Sequence, residues 1–364
     1  MTVSSGCSNN STTSNLNQQV DNDNWEAITN GRSKELERGV VRDFTDRVVI
    51  PTYELLVERT DELVNAVNGF VSNPQDKTLQ TARQAWLTTR EPWERSETFA
   101  FGPAESLGYD GDLDDWPVNE TDIAAILNSK DSITPEYVKE LETTQKGFHA
   151  IELLLFGENN DKQAIDFNPR ELEYLKVLTT SFQQTVSDLT TSWTEGVEGN
   201  PSYKEVFATA GENNNSVYPT VNAAVEEIVQ GMLGCLDEVA NEKIGEPLET
   251  RENIGFESRF SHSSLNDFAN NLRGVENAYL SKVAEAGTNG QSISNLVVIK
   301  ANPQLDRKIK QELKVAIETV NAIPSSIETQ IGEQETITKM ETAKKAILTL
   351  HDTIEQKVLP LVQS

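Results

Sequence analysis

Apolar residues recur every three to four positions along almost the whole chain, and no segment reads as a strand. Ser33 is placed to cap a helix through Leu36, Val40, Phe44, Val48 and Val49. Pro51 should break or kink it before it continues through Tyr53, Leu56, Leu63 and Val67 to about Val71. A second helix is predicted from Lys77 to Phe99, where Trp86, Arg90, Trp93 and Glu97 share one face and Pro92 should introduce a bend. Residues 100–133 are rich in Gly, Asp and Pro and predict a long loop with one helical turn near Ile123 to Leu127. Thr134-Pro135-Glu136 opens a third helix, capped and with proline in its first turn, that runs to Phe156 and stops at Gly157. Asn168-Pro169 starts a fourth in the same way, to about Trp193.

The polar Gly/Asn-rich stretch from Gly196 to Ser216 is the expected domain boundary. Beyond it the periodicity predicts helices at about 217–243, 262–284, 303–322 and 333–361, with connectors at 287–290 and 324–332. The fold class is therefore all-α: two packed four-helix bundles, over residues 22–198 and 199–364, behind a polar tail of residues 1–21.

The tail, MTVSSGCSNNSTTSN, is too polar to fold, and its Gly-Cys step has the form of a lipid-attachment site at Cys7, although no apolar segment precedes it. Cys235, among Met232, Leu233 and Leu236, reads as a small core residue. No stretch approaches the roughly 18 uninterrupted apolar residues needed to span a bilayer, which leaves a lipid anchor as the expected membrane contact. With 58 acidic residues against 31 basic ones, the formal charge is -27. Such a field repels phosphate backbones, so nucleic acid is not an expected partner, whereas cations and basic partners are drawn in.

Chemistry concentrates in GFHAIELLLFG, residues 147–157, where only His149 and Glu152 are polar. A helix that is apolar nearly all round is a buried one, and a spacing of three residues brings both side chains to nearly the same place. A carboxylate there must be paired, hydrogen-bonded or metal-bound. Gly147 would let another group approach the backbone closely. An imidazole and a carboxylate on one turn form a half-site for a divalent cation such as iron or zinc. Glu97 is the expected third ligand, with Glu94 and Arg90 as neighbours. The same pair could instead be structural, alone or in a buried network with Arg90 or Arg83. The acidic loop at Asp110, Asp112, Asp114 and Asp115 is placed either to cover the site or to lie in solvent. No H-E-x-x-H or H-x-x-E-H is present, a carboxypeptidase-like set completed by His262 would need an α/β fold, and no E-x-x-H pair, phosphate loop or G-x-S-x-G elbow occurs.

Four blocks in order, ARQAWLTTREPWERSETFAFGP (82–103), GFHAIELLLFG, KIGEPL (243–248) and ESRFSHSSLNDFANNLRGVENAYL (257–280), resemble the imelysin family, whose G-x-H-x-x-E signature falls on Gly147, His149 and Glu152. The likeness runs from about residue 34 to the C-terminus. It implies two helical bundles and a protein of the periplasm or outer membrane of a Gram-negative bacterium. It also implies a metal or ligand site near the bundle interface, with Glu257, Ser258, Ser261 and Asn271 facing the same cleft. Relatives include proteins named as insulin-cleaving peptidases and others associated with iron uptake, so capture of a metal or small ligand for an envelope uptake protein, envelope peptidase activity and a scaffold role all stand as readings. No residue of the motif stands out as the general base that hydrolysis requires.

Overall fold

A computed structural model of the chain describes residues 34–197, 199–283 and 290–363, so Cys7 lies outside the described residues. Among them there is no strand, and no helix is long and apolar enough to cross a membrane. Residues 34–44 are helical and pass through a π-helical turn, Thr45–Val49, into the helix Ile50–Ser72. Pro51 does not end this run. The carbonyl that its missing N–H would have served lies in the widened turn, and the Thr45 and Thr52 hydroxyls donate to the Val41 and Val48 carbonyls at 2.9 and 2.6 Å. Asp76–Ser96 follows, with Pro92 inside it, and tightens into a 3-10 turn at Glu97–Phe99. It packs on the 50–72 helix, which also packs on Pro169–Thr194.

The third helix differs from its expectation. Instead of running from 134 to 156, the chain forms Pro135–Lys139, a 3-10 turn at Thr143–Gln145 and then Gly147–Phe156. The break is at Lys146, which is extended, and at Gly147, which has φ +75°. A Cβ at Gly147 would lie 2.4 Å from the Leu113 carbonyl oxygen, so only glycine admits the segment that crosses there. That segment belongs to the expected loop, which is largely helical: Pro103–Ser106, Tyr109–Asp114 and Glu120–Asn128, with Leu113, Ile123 and Ile126 buried. Their apolar positions are too few per turn to show periodicity among the Asp and Gly residues.

Between residues 196 and 216 the short helix Tyr203–Ala208 docks Phe207 on Trp193, Phe101 and Tyr218. The polar composition there hides an aromatic cluster. Further on, Val221–Asp237 continues as a π-helical Glu238–Lys243, and Gly245–Thr250 follows. Ser264–Leu280, Pro303–Asn321 and Gln334–Lys357 are the remaining long helices, and Ile293–Lys300 is a helix the periodicity did not predict. The 264–280 helix packs on the 76–96 helix as well as on 221–237 and 303–321, and thereby carries the second half of the chain onto the first. Gly274 permits this close crossing, since a Cβ there would meet the Arg95 carbonyl at 2.5 Å.

Candidate functional site

Three elements converge at the turn carrying His149 and Glu152, which are 1% and 0% exposed. The 147–156 helix is fixed to the 76–96 helix by Trp86, whose Nε1 donates to the Phe148 carbonyl at 3.0 Å. His149 sits between two carboxylates: Nδ1 is 3.0 Å from Oε2 of Glu152, and Nε2 is 3.1 Å from Oδ1 of Asp114. Burial alone lowers the imidazole pKa, but these two carboxylates outweigh it and hold it at about 10, which favours the imidazolium form between them. Glu152 is completed from the other half of the chain, where Ser261 donates its backbone N–H and its hydroxyl to Oε1, each at 2.7 Å.

Asp114 also accepts from Arg90 and from the Trp93 indole N–H. Burial raises its pKa, yet Arg90 and His149 prevail and hold it at about 2. Arg90, 1% exposed, pairs with Glu94, with Glu257 at 2.9 Å and with Asp267 at 3.6 Å, and its guanidinium lies 4.8 Å from the Phe148 ring centroid. Lys243 holds the opposite side. Its Nζ is 2.8 Å from Oε2 of Glu97, 3.0 Å from Oε1 of Glu257 and 3.4 Å from Oε2 of Glu94. Asn271 donates to Glu94 at 2.9 Å and to Glu97 at 2.7 Å. Burial, reinforced by neighbouring carboxylates, pushes Glu94 and Glu97 well above the usual carboxylate range and Asp267 to about 6.

The expected residues thus divide. His149, Glu152 and Ser261 form one group, and Arg90, Glu94 and Glu257 a second that touches it through Asp114. Glu97, the expected third ligand beside His149 and Glu152, is held by Lys243 and Asn271 and shares a ligand set with Glu94, Asp114 and Glu257 but not with His149 or Glu152. Ser258 is buried and offers its carbonyl to Ser261. Arg83 is not in the network, since it donates to the Leu155 and Lys162 carbonyls. Asp112 pairs with Lys146 and Asp115 accepts from Thr143. Asp114 does not lie in solvent: its side chain is 6% exposed. Sequence reasoning gave no weight to Lys243 or Asp267. Their one available signal was position, since Lys243 and Asp267 both fall inside the segments that resemble the imelysin family, 243–248 and 257–280.

At this centre two sets of ligand atoms lie close enough to share a cation, Asp114, His149 and Glu257, and Glu94, Glu97, Asp114 and Glu257; a third set, His351, Asp352 and Glu355, lies elsewhere with its carboxylates exposed. None contains Glu152, whose oxygens are engaged by Ser261 and His149. The donors suit a cation, and one carboxylate oxygen, Oε2 of Glu257, is buried with no hydrogen-bond partner. Glu97 and Asp114 also line a half-open cleft of about 410 Å³, whose other walls include Asp110, Asp115, Glu238, Glu242 and Glu246.

An all-helical chain enclosing a buried acidic centre, reached by an acidic cleft and organised on a G-x-H-x-x-E turn, defines the class. The chain belongs to the imelysin family, whose model matches residues 49–354. It is 36% identical over 323 residues to "Iron-regulated protein A" of Synechococcus elongatus, covering 89% of this chain and 86% of that one. Among solved structures it resembles one described as an iron-regulated protein A precursor from Parabacteroides distasonis (TM-score 0.81, 26% identity, 90% of this chain and 95% of that one). An imelysin-like protein from Psychrobacter arcticum shares the fold (TM-score 0.71, 14% identity, 91% and 96% covered).

Proposed function

We propose that this protein captures a divalent metal ion, or a small metal-bearing ligand, at the centre around His149 and Glu152, and serves iron acquisition in the cell envelope. One observation carries the reading. Glu94, Glu97, Asp114, Glu152, Glu257 and Asp267 are gathered around only three cationic groups, Arg90, Lys243 and the His149 imidazolium. Burying carboxylates in such excess is costly unless they are protonated or meet further positive charge. A cation supplies that charge. Asp114, His149 and Glu257 would hold it through one nitrogen and carboxylate oxygens, a donor set that suits iron or zinc. Glu152 and Ser261 would orient the ring from the far side, as partners of ligating histidines do. The iron in the names of two relatives makes iron the first cation to test.

Two further features of the reading come from the tail and the family. Cys7 would attach the protein by lipid to an envelope membrane, in the periplasm or at the outer-membrane surface, and an uptake protein would be its partner. Between binding and peptide hydrolysis, the geometry favours binding. Hydrolysis needs a base to take a proton from water, and the carboxylates beside the ring are already held, Glu152 by Ser261 and Asp114 by Arg90 and Trp93.

The test is calorimetric titration of metal-stripped protein with iron(II) under anaerobic conditions and with zinc(II), repeated in buffers of different ionisation enthalpy. Binding at near one equivalent, with release of a proton from His149 and loss of binding in folded His149→Ala, is expected. Absence of binding for both ions, with His149→Ala lowering only stability, would leave a scaffold role. Chelator-sensitive peptide cleavage lost in Glu152→Gln would establish the peptidase instead.

A further inference from the structure

The ammonium of Lys243 lies among the carboxylates of Glu94, Glu97 and Glu257, on the side of the centre away from His149. We propose that Glu94, Glu97, Asp114 and Glu257 form a second, all-oxygen cation position at the floor of the acidic cleft, where Lys243 competes with a hard divalent cation. The proposal adds to the reading above, shares Asp114 and Glu257 with it as ligands, and rests on the same excess of buried carboxylates.

Four observations carry it. The four carboxylates each bring an oxygen to within 4.8 Å of the others, the spacing of a common ligand shell. Oxygen-only donors favour hard cations such as manganese(II), magnesium and calcium, whereas the neighbouring set includes an imidazole. Oε2 of Glu257 is buried and unpartnered, so Lys243 and Arg90 together leave a lone pair of this set unused. Access is also provided. Glu97 and Asp114 line the cleft, whose remaining acids concentrate cations at its mouth and repel anionic chelates.

Lys243 is suited to give way. It ends a π-helical segment, Glu238–Lys243, and a lysine carries its compact charge on a flexible four-carbon stem. Glu238, in the cleft wall and 3.8 Å from Nζ, offers the ammonium another carboxylate nearer solvent. Without the cation, Lys243 offsets the mutual repulsion of the acids; with it, the ammonium withdraws along the wall.

The experiment titrates metal-stripped full-length protein with manganese(II), followed by the paramagnetic resonance signal of the free ion, in wild type, Lys243→Met, Glu97→Gln and His149→Ala. Removing one ammonium from a poorly solvated carboxylate cage should tighten manganese(II) binding about tenfold or more in Lys243→Met. Glu97→Gln, at the edge of the set, should weaken it by a similar factor, and His149→Ala should leave it in place. Unchanged or weaker binding in folded Lys243→Met overturns the proposal, as does unchanged binding in Glu97→Gln. If Lys243→Met does not fold without metal, recovery of its melting transition by manganese(II) supports the site, and failure of manganese(II) to restore it counts against it. Zinc(II) binding that survives in a protein with no manganese(II) site would sink this proposal alone; loss of both ions would sink the reading around His149 as well.

Discussion

Oδ1 of Asp114 stands 3.1 Å from Nε2 of His149, so a residue from an acidic, glycine-containing stretch closes the far side of a motif that contains only one carboxylate of its own. The same carboxylate accepts from Arg90 and Trp93. It therefore ties the 109–114 helix to the 76–96 helix and to the 147–156 helix. Unlike Glu94 and Glu97, which burial pushes toward protonation, Asp114 is held ionised, which marks it as a net contributor to folding.

Replacing Asp114 by Asn should consequently destabilise the protein, even though it lowers the acid excess. It leaves Arg90 and the His149 imidazolium short of a buried partner, a loss of about 2 to 3 kcal/mol. Urea unfolding should show a lower midpoint at unchanged slope. Glu97→Gln should cost much less, because burial already works against the charge of this carboxyl and the amide keeps an acceptor for Lys243 and Asn271. Equal costs for the two would show that Asp114 has no special place.

Gly147→Ala should be worse than its small volume suggests. The added Cβ meets the Leu113 carbonyl, which is backbone and adjoins Asp114, and the residue is held at φ +75°. Left-handed strain alone costs alanine about 1 kcal/mol, and the displaced strand of contacts adds to it, for a total of about 2 kcal/mol or more. A melting temperature lowered together with shifted His149 ring resonances is expected; a lower melting temperature with unmoved resonances would separate the glycine from the site.

This glycine also shows how far the sequence can be read. The helices at 50–72, 76–96, 169–194 and 334–357 were legible because long amphipathic periods dominate them, and the His149–Glu152 pair was legible because two polar residues stood in an oily turn. The break at residue 146 was not, since it depends on a backbone crossing from residue 113 that no local pattern encodes. Asp114 looked like one acid among four in a soluble loop, and only the fold distinguishes it from Asp112 and Asp115. Glu97 followed the helical period and does reach the buried acids, but its partners Lys243 and Asn271 come from the other half of the chain, which no local pattern encodes.

Phe207 tests whether the Gly/Asn-rich stretch is part of the folded body. Its ring stacks on Phe101 at 5.7 Å between centroids and 12° between planes, meets Trp193 and Tyr218 edge-on, and is 1% exposed. Truncation of a buried phenylalanine typically costs about 3 to 5 kcal/mol. Phe207→Ala should therefore lower the global unfolding free energy in that range. A loss below about 1 kcal/mol, the scale of ordinary surface changes, would mean that the segment opens independently of the rest.

Glu328 supplies a pH dependence away from the acidic centre. It lies in Ile327–Gln330, is 3% exposed, accepts from the Ser264 backbone N–H at 3.1 Å, and keeps Oε2 buried with no hydrogen-bond partner. Burial raises its pKa from 4.5 to about 7. Between those values the folded chain binds more protons here than the unfolded chain, so stability falls as pH rises through the window. The loss levels off above pH 7 at no more than about 3.5 kcal/mol, taking about 1.4 kcal/mol per pH unit. Asp267 and Asp110, both raised to about 6 chiefly by burial, act in the same direction, so the contribution of Glu328 must be read from a difference. Glu328→Gln keeps an acceptor for Ser264 and cannot ionise. Its stability relative to wild type should rise steadily from pH 4.5 to 7 and stay constant above. A difference that is flat across that interval would mean that the carboxyl is already ionised at pH 5 and that the polar end of the 264–280 helix is solvated.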